Sequence, residues 1–185
     1  MKKRIHIMII VITLLLSSTI SFGSTNLTDV KSTDWFMPTI SKLIKLGGIQ
    51  GYPDRSFKPN NPMTKAEFVK TLVTSLGQSE SSKTSSHWAS GYIAKAESLK
   101  LLTDKLVNLD QPISRSEAAD IAANALTYLK EICEANADSI SKVSTKGIMT
   151  GYPDGSFKGE NSLTRAEAST VIIRLLDKEM RSISV

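Results

Sequence analysis

Residues 151–167 read GYPDGSFKGENSLTRAE, and residues 51–67 read GYPDRSFKPNNPMTKAE. The two stretches lie 100 positions apart and share eleven identical residues in register. A match of this density within one chain indicates an internal repeat. The opening Gly-Tyr-Pro-Asp predicts a tight turn, because proline fixes φ and aspartate can bond to its own backbone.

Each repeat ends in a sequence that predicts the start of a helix. The capping-box spacing S/T-x-x-E occurs at 64–67, 114–117 and 164–167, and apolar residues at helical spacing follow each box. The box at 114–117 is present although no Gly-Tyr-Pro-Asp turn precedes it. We therefore expect three helices that begin in the same way, with their glutamates serving as caps and nothing else.

A basic residue follows the capping residue in all three boxes: Lys65, Arg115 and Arg165. The helix dipole disfavours a cation there by roughly 0.3–1 kcal/mol. We therefore predict that these residues bind an anion together with the free backbone N–H groups of the helix start. The arginine fork suits a carboxylate better than lysine does. Replacing Arg165 by alanine is then expected to weaken binding and leave stability unchanged, and the alternative is a solvated surface cation.

Residues 1–23 are predicted to be a signal peptide. They begin with three basic residues, continue with an apolar run from 7 to 16, and end in small residues. The run is too short to span a bilayer comfortably, although a signal anchor is an alternative. No cysteine lies near the cleavage position, so we expect no lipoprotein anchor. The sequence therefore predicts an exported protein that leaves the membrane after cleavage.

Charge and cysteine content exclude several functions. Removing the three basic residues of the signal segment lowers the net charge from +5 to about +2, which gives no basis for binding nucleic acid. Cys133 is the only cysteine, so no intramolecular disulfide can form. Its apolar, helix-like surroundings predict a buried thiol.

The remaining chain divides into units that each read helix, loop, helix. The predicted boundaries are 26–76 for the first unit, 77–86 for a serine-rich linker, 87–132 for the second unit, 133–177 for the third, and 178–185 for a charged, frayed tail. The second unit lacks the Gly-Tyr-Pro-Asp turn, and the third lacks a tryptophan equivalent to Trp35 and Trp88. A binding groove made from neighbouring units should then differ from the other grooves.

These features together resemble a triplet of S-layer homology modules behind a signal peptide, the cell-envelope anchoring repeats of many bacterial surface proteins. The resemblance is carried by the sequence 28–30 with Trp35, by the two turns, and by the three capping boxes. It implies an all-α pseudo-threefold spindle, with helix-loop-helix repeats around a central three-helix bundle. It also implies a secreted protein of the cell wall or S-layer whose grooves bind secondary cell-wall polymers, commonly through a pyruvate ketal on an amino sugar.

The resemblance assigns ligand contact to three capping-box cations and to aromatic and loop positions. These residues are Arg165, Arg115, Lys65, Trp35, Trp88, Gly51, Tyr52, Gly151 and Tyr152. The tryptophans could instead close a gap between helices, and the tyrosines could only fill turns. Asp54 and Asp154 are expected to form turns rather than bind ligand.

Other chemistry has little support in the sequence. After Asp154 and Ser156 the next calcium-ligand position is Lys158, so no calcium loop is expected. His87 has no metal partners and is expected at the surface, and no catalytic or cofactor motif occurs. We predict a noncatalytic anchor that binds secondary cell-wall polymer or peptidoglycan-linked polysaccharide. The sequence leaves its purpose open between carrying an unknown protein cargo, acting as a spacer and competing for wall sites. The alternative is a structural S-layer component acting through protein–protein contacts; a wall-modifying enzyme would need a carboxylate pair and a further domain.

Overall fold

A computed structural model describes residues 27–83, 85–131 and 133–182. Six α-helices form three successive pairs: α1 Met37–Lys45, α2 Lys65–Ser75, α3 Ser90–Ser98, α4 Arg115–Tyr128, α5 Ser139–Thr145 and α6 Arg165–Leu176, followed by a 3₁₀ turn at Lys178–Met180. These ranges contain three isolated backbone bridges and no strand. The all-α prediction is confirmed, and the predicted signal peptide lies outside the described residues.

The three long helices α2, α4 and α6 begin with the predicted capping boxes. In α6 the Thr164 hydroxyl accepts from the Glu167 N–H at 3.2 Å, and a Glu167 carboxylate oxygen accepts from the Thr164 N–H at 2.9 Å. The same reciprocal pair begins α2 and α4. Each box satisfies two backbone donors at a helix end, so the local sequence determines where these helices start.

The short helix α1 ends just before a pair of glycines. Gly47 adopts a φ of 69°, a left-handed conformation that glycine enters without a side-chain clash. The N–H groups of Gly47 and Gly48 then donate to the carbonyls of Ile44 and Leu43. These bonds cap the last turn of the helix.

Each short helix packs against the long helix of another pair. α3 contacts α2, α5 contacts α4, and α1 contacts α6. The last contact joins the beginning of the described chain to its end. Because no short helix depends mainly on the long helix of its own pair, the three pairs form one continuous core.

Three backbone hydrogen bonds close a ring between the three pairs. The Met63 N–H donates to the Leu163 carbonyl at 3.0 Å, Leu163 donates to Ile113 at 3.0 Å, and Ile113 donates to Met63 at 2.9 Å. All three side chains are buried. The ring therefore fixes the starts of α2, α4 and α6 next to one another.

Two structural expectations need correction. Cys133 lies beyond the end of α4, outside any helix, and is a partly buried free thiol packed against the core. The part of the tail that the structure describes is bonded to the fold, since the Ser182 N–H donates to the Gly147 carbonyl at 3.0 Å. Its charge is paired in the fold, because the 7% exposed Arg181 side chain donates to both oxygens of Glu131 at 2.8 and 2.6 Å.

Candidate ligand grooves

Three grooves of similar size lie where the helix pairs meet. Groove A contains Arg115, the loop 148–152 and Trp35. Groove B contains Arg165, the loop 48–52 and Trp88. Groove C contains Lys65 and the loop 101–107. Their volumes are about 230, 240 and 200 Å³, so the grooves differ in lining rather than in size.

Grooves A and B follow one construction rule. The cation comes from the start of one long helix, the loop from the next pair around the ring, and the tryptophan from the remaining pair. In groove A these parts come from the second, third and first pairs, and in groove B from the third, first and second pairs. The same rule would place a tryptophan of the third pair in groove C, but the sequence has only Trp35 and Trp88.

The backbone N–H groups at the helix starts are not free for an anion. The Arg165 N–H donates to the Asn61 carbonyl at 2.8 Å, and the Ala166 N–H donates to Pro59 at 3.0 Å. The equivalent groups of α2 and α4 donate to loop carbonyls in the same way. The prediction that an anion shares these N–H groups is wrong, because the loop of a neighbouring pair already supplies their acceptors.

Arg165 forms part of the floor of groove B and is only 5% exposed. Its Nε donates to the Phe57 carbonyl at 2.8 Å, and its Nη1 donates to Glu67 Oε1 at 2.9 Å. The guanidinium also lies 4.7 Å from the Tyr52 ring centroid. The surface-cation alternative is therefore wrong for Arg165. Because its contacts join two helix pairs, we now expect its removal to lower stability as well as binding.

Arg115 occupies the equivalent position in groove A and is 8% exposed. Its Nε donates to the Phe157 carbonyl at 2.8 Å, and its Nη2 donates to the Thr150 carbonyl at 2.9 Å. The guanidinium lies 4.9 Å from the Tyr152 ring centroid. Unlike Arg165, it pairs with no carboxylate in the part of the chain that the structure describes.

Lys65 in groove C forms an ion pair with Glu117 of the next long helix. Burial acts to raise the pKa of the Glu117 carboxyl, but hydrogen bonds from Lys65 and Ser114 lower it, and the net shift is downward. Glu67 and Glu117 thus each cap a helix and also pair with a cation from another helix. The prediction that these glutamates serve only as caps is wrong for both.

The two tryptophans are exposed side chains that line grooves A and B. The Trp35 residue is 65% exposed, and Trp88 is 47% exposed. Trp35 makes an edge-to-face contact with Phe36 at 5.4 Å, while Trp88 lies 5.7 Å from the His87 ring. This exposure favours a role in ligand contact over the alternative in which these side chains only close a gap between helices. His87 itself is partly buried, with Nε2 3.1 Å from an Asp110 carboxylate oxygen.

The turns position the tyrosines beside the arginines. The Tyr52 hydroxyl donates to Glu67 at 3.2 Å, and burial raises the pKa of this tyrosine. Gly51 has a φ of 76°, and a Cβ there would lie 2.8 Å from Leu27. Gly151 is less restricted, because its φ is not left-handed and its Cβ would lie 3.1 Å from the Ser156 carbonyl oxygen. The tyrosines therefore contact the grooves as well as completing the turns.

Asp54 and Asp154 form turns, as predicted. In each, one carboxylate oxygen accepts from the N–H and the hydroxyl of the serine two residues later. These hydrogen bonds lower the pKa of both carboxyls.

Sequence reasoning missed a second cation in each of grooves A and B. Lys70 lines groove B and donates to the Gly48 carbonyl at 3.2 Å. Burial, together with the charge of Arg165, lowers the pKa of the Lys70 amine. Arg174 lines groove A. A comparison of the repeats does not reveal these cations, because the position that matches Lys70 is Thr170 and the position that matches Arg174 is Thr74.

Helical spacing in the sequence could have identified these two cations. Lys70 lies three residues after Glu67, and Arg174 lies seven after Glu167. Residues three or seven apart share a helix face. A search for cations on the glutamate face of each long helix would therefore have found them.

The described residues contain no cluster of histidine, cysteine, aspartate and glutamate suited to a metal ion. Within the same ranges, no helix has the length and apolar character needed to cross a membrane.

Comparison with known proteins finds similarity to one protein family in two regions of the chain. The family model described as S-layer homology domain matches residues 26–69 and 133–169. Cell surface glycoprotein 1 of Acetivibrio thermocellus is 31% identical over 163 residues, which cover 70% of this chain and 7% of that protein. The Middle cell wall protein of Brevibacillus brevis is 32% identical over 130 residues, which cover 70% of this chain and 12% of that protein.

A third relative has an enzyme name. An endoglucanase of a Bacillus species is 27% identical over 205 residues, which cover 92% of this chain and 22% of that protein. The chain thus spans less than a quarter of the length of each of these three curated relatives. It contains S-layer homology domain sequence in two regions, on either side of the second helix pair.

Proposed function

We propose that this chain is a noncatalytic anchoring module of the cell surface that binds an anionic, pyruvylated wall polysaccharide through grooves A and B. The observation that carries the proposal is the same pairing in both grooves: an exposed tryptophan stands beside a floor that contains an arginine. An indole face can stack on a sugar ring, and a guanidinium can pair with the ketal carboxylate. The S-layer homology matches support the same cell-wall location.

The charges that line the grooves favour an anion in A and B. Groove A has Arg115 and Arg174 against Glu167, and groove B has Arg165 and Lys70 against Glu67. In groove C the carboxylates outnumber the cations: Lys65 and Lys105 face Asp104, Glu117 and Asp120. A cleft lined with net positive charge attracts an anionic polymer, whereas groove C opposes it.

The three departures from the repeat pattern all fall in groove C. Its cation is a lysine rather than an arginine, and its loop comes from the unit without the Gly-Tyr-Pro-Asp turn. Its tryptophan would have to come from the third unit, which has none. We propose three modules, 26–76, 87–132 and 133–177, around a pseudo-threefold axis. On this arrangement two complete sites remain, because the construction rule assembles the altered parts in one place.

The enzyme-named relative does not support an activity for this chain. The match covers only 22% of that endoglucanase, so its activity cannot be transferred. Grooves A and B each contain one glutamate, and in both it caps a long helix. Acid–base cleavage of a glycosidic bond ordinarily uses two carboxyl groups on opposite sides of that bond. We therefore propose binding rather than cleavage.

Tryptophan substitution tests the proposal with little disturbance of the fold. Purified walls should retain the Trp35→Ala/Trp88→Ala double variant at least about tenfold less than wild type, since each change removes a stacking surface. Tyr128→Ala is the matched control, because Tyr128 is an exposed aromatic that lines none of the three grooves. Circular dichroism would verify that all variants remain folded.

Walls treated with mild acid to remove pyruvate separate the two parts of the mechanism. Wild-type protein should bind treated walls more weakly, because the carboxylate that pairs with arginine is gone. Equal binding to treated and untreated walls would show that the ketal carboxylate does not contribute to binding. Retention of the double tryptophan variant at the wild-type level would refute the groove sites and favour a surface-layer role through protein contacts.

A further inference from the structure

The arginines of grooves A and B differ in what already neutralises their charge. Arg165 in groove B pairs with the Glu67 carboxylate at 2.9 Å. Arg115 in groove A donates only to the backbone carbonyls of Phe157 and Thr150 among its described hydrogen bonds. A carbonyl carries a partial charge, so the full charge of Arg115 remains available to an anion that enters groove A.

Glu67 is held firmly in its position beside Arg165. Its Oε2 accepts from the Thr64 N–H at 3.0 Å as part of the capping box. Its Oε1 accepts from the Tyr52 hydroxyl at 3.2 Å as well as from Arg165. These bonds come from both sides of groove B, so the carboxylate cannot turn away without breaking contacts.

Glu167 occupies the matching position in groove A but makes fewer contacts. It caps α6 in the same way, through Thr164. Among the residues that the structure describes it forms no ion pair, and Tyr152 does not donate to it. Arg174 adds a second positive charge to the same groove.

We infer that Glu67 is an internal anion that occupies Arg165 while groove B is empty, so that groove A is the higher-affinity site for a carboxylate-bearing sugar. An incoming carboxylate in groove B must displace Glu67 or share its arginine with it. In groove A the incoming group meets an arginine without a carboxylate partner. This inference rests on the proposed function, because it ranks the two sites that the proposal assigns.

The two tryptophans allow each groove to be observed separately. The chain has only Trp35 and Trp88, one at each groove, so a ¹⁵N-labelled sample gives one indole N–H signal per groove. A suitable probe is the monosaccharide pyruvate ketal of an N-acetylated amino sugar. The Trp35 signal should titrate at about tenfold lower probe concentration than the Trp88 signal, the scale expected for one charge-assisted hydrogen bond.

Removing the charge of Glu67 tests the cause of the difference. Glu67→Gln keeps a residue that a capping box accepts, so α2 should still form. It should move the Trp88 titration to within about threefold of the Trp35 titration and leave Trp35 unchanged. Glu167→Gln is the matched control in groove A and should leave the Trp88 titration unchanged.

The outcomes distinguish this inference from the proposed function. Simultaneous titration of both indoles in the wild type, or earlier titration of Trp88, would overturn the ranking while the proposed function stands. An unchanged Trp88 titration in a folded Glu67→Gln variant would overturn the role of Glu67. Should neither indole respond to the probe, both the proposed function and this inference fail. The wild-type titration order needs no variant, so it tests the ranking even if Glu67→Gln does not fold.

Discussion

Replacing Arg165 by alanine should destabilise the fold as well as weaken binding. The substitution removes the ion pair with Glu67, the hydrogen bond to the Phe57 carbonyl and the contact with the Tyr52 ring. It leaves the Glu67 carboxylate without its cationic partner and a buried carbonyl without its side-chain donor. Both losses occur where the loop of the first helix pair meets the start of α6.

The magnitude follows from the burial of the two partners. Removing one partner of a buried ion pair costs roughly 3–5 kcal/mol. Because 26% of the Glu67 side chain is exposed, water screens part of the effect, and we expect the lower end, about 3 kcal/mol. In a domain of this size each kcal/mol lowers the melting temperature by about 2–4 °C, so the expected loss is about 6–12 °C.

Thermal and urea unfolding monitored by circular dichroism would measure this loss. Lys158→Ala is a suitable control, because Lys158 is an exposed cation beside Tyr152 and should cost less than about 0.5 kcal/mol. In the Arg165→Ala/Glu67→Gln double variant, the total loss of unfolding free energy should be smaller than the sum of the losses in the two single variants, because no unpaired charge remains. An Arg165→Ala protein that melts within about 2 °C of wild type would refute this reasoning.

Two further predictions concern stability alone. Thr164→Ala removes the cap of α6 and should cost about 0.5–2 kcal/mol in urea unfolding while wall binding by the folded protein persists; an unchanged urea midpoint would contradict a capping role. Hydrogen bonds from Arg181 lower the pKa of the Glu131 carboxyl below its ordinary value of 4.5. The folded pKa is thus below the unfolded one, so this stabilisation is complete above about pH 4.5 and is lost as the pH falls through the folded pKa. The wild-type urea midpoint should therefore fall more steeply on acidification than that of Glu131→Gln, and parallel profiles would exclude the effect.

Features determined by neighbouring residues could be predicted from the sequence. The three capping boxes, the end of α1 at Gly47 and the turns formed by Asp54 and Asp154 each depend on residues within a few positions. The helix-loop-helix prediction for each unit follows from the same short-range patterns, whereas the all-α class is implied by the family resemblance. In these places local propensity and the final fold agree.

The environment of the arginines could not be predicted in the same way. Arg165 contacts Phe57 and Glu67, which lie 108 and 98 positions earlier in the chain. Nothing in the Thr-Arg-Ala-Glu sequence shows that a neighbouring loop supplies carbonyl acceptors for both the side chain and the helix start. The cation therefore looked free for an anion, whereas it also joins two helix pairs.

The errors at the end of the chain have a similar cause. Arg181 and Glu131 are 50 positions apart, so their pairing is invisible in a charged tail. The apolar surroundings of Cys133 are typical of a helix, but the structure places this residue outside one. α4 ends at Tyr128, and Lys130 adopts a φ of 58° although lysine is not a residue that favours this conformation.

The ring of backbone hydrogen bonds through Met63, Ile113 and Leu163 closes only when three loops are present. A shortened chain with two long helices would leave a buried donor and a buried acceptor unsatisfied. A second copy can supply the missing helix start, so such fragments should exchange helices and form domain-swapped oligomers. Grooves A and B each draw on all three pairs. Oligomers of such a fragment still lack one pair, so they should be folded but unable to rebuild either groove.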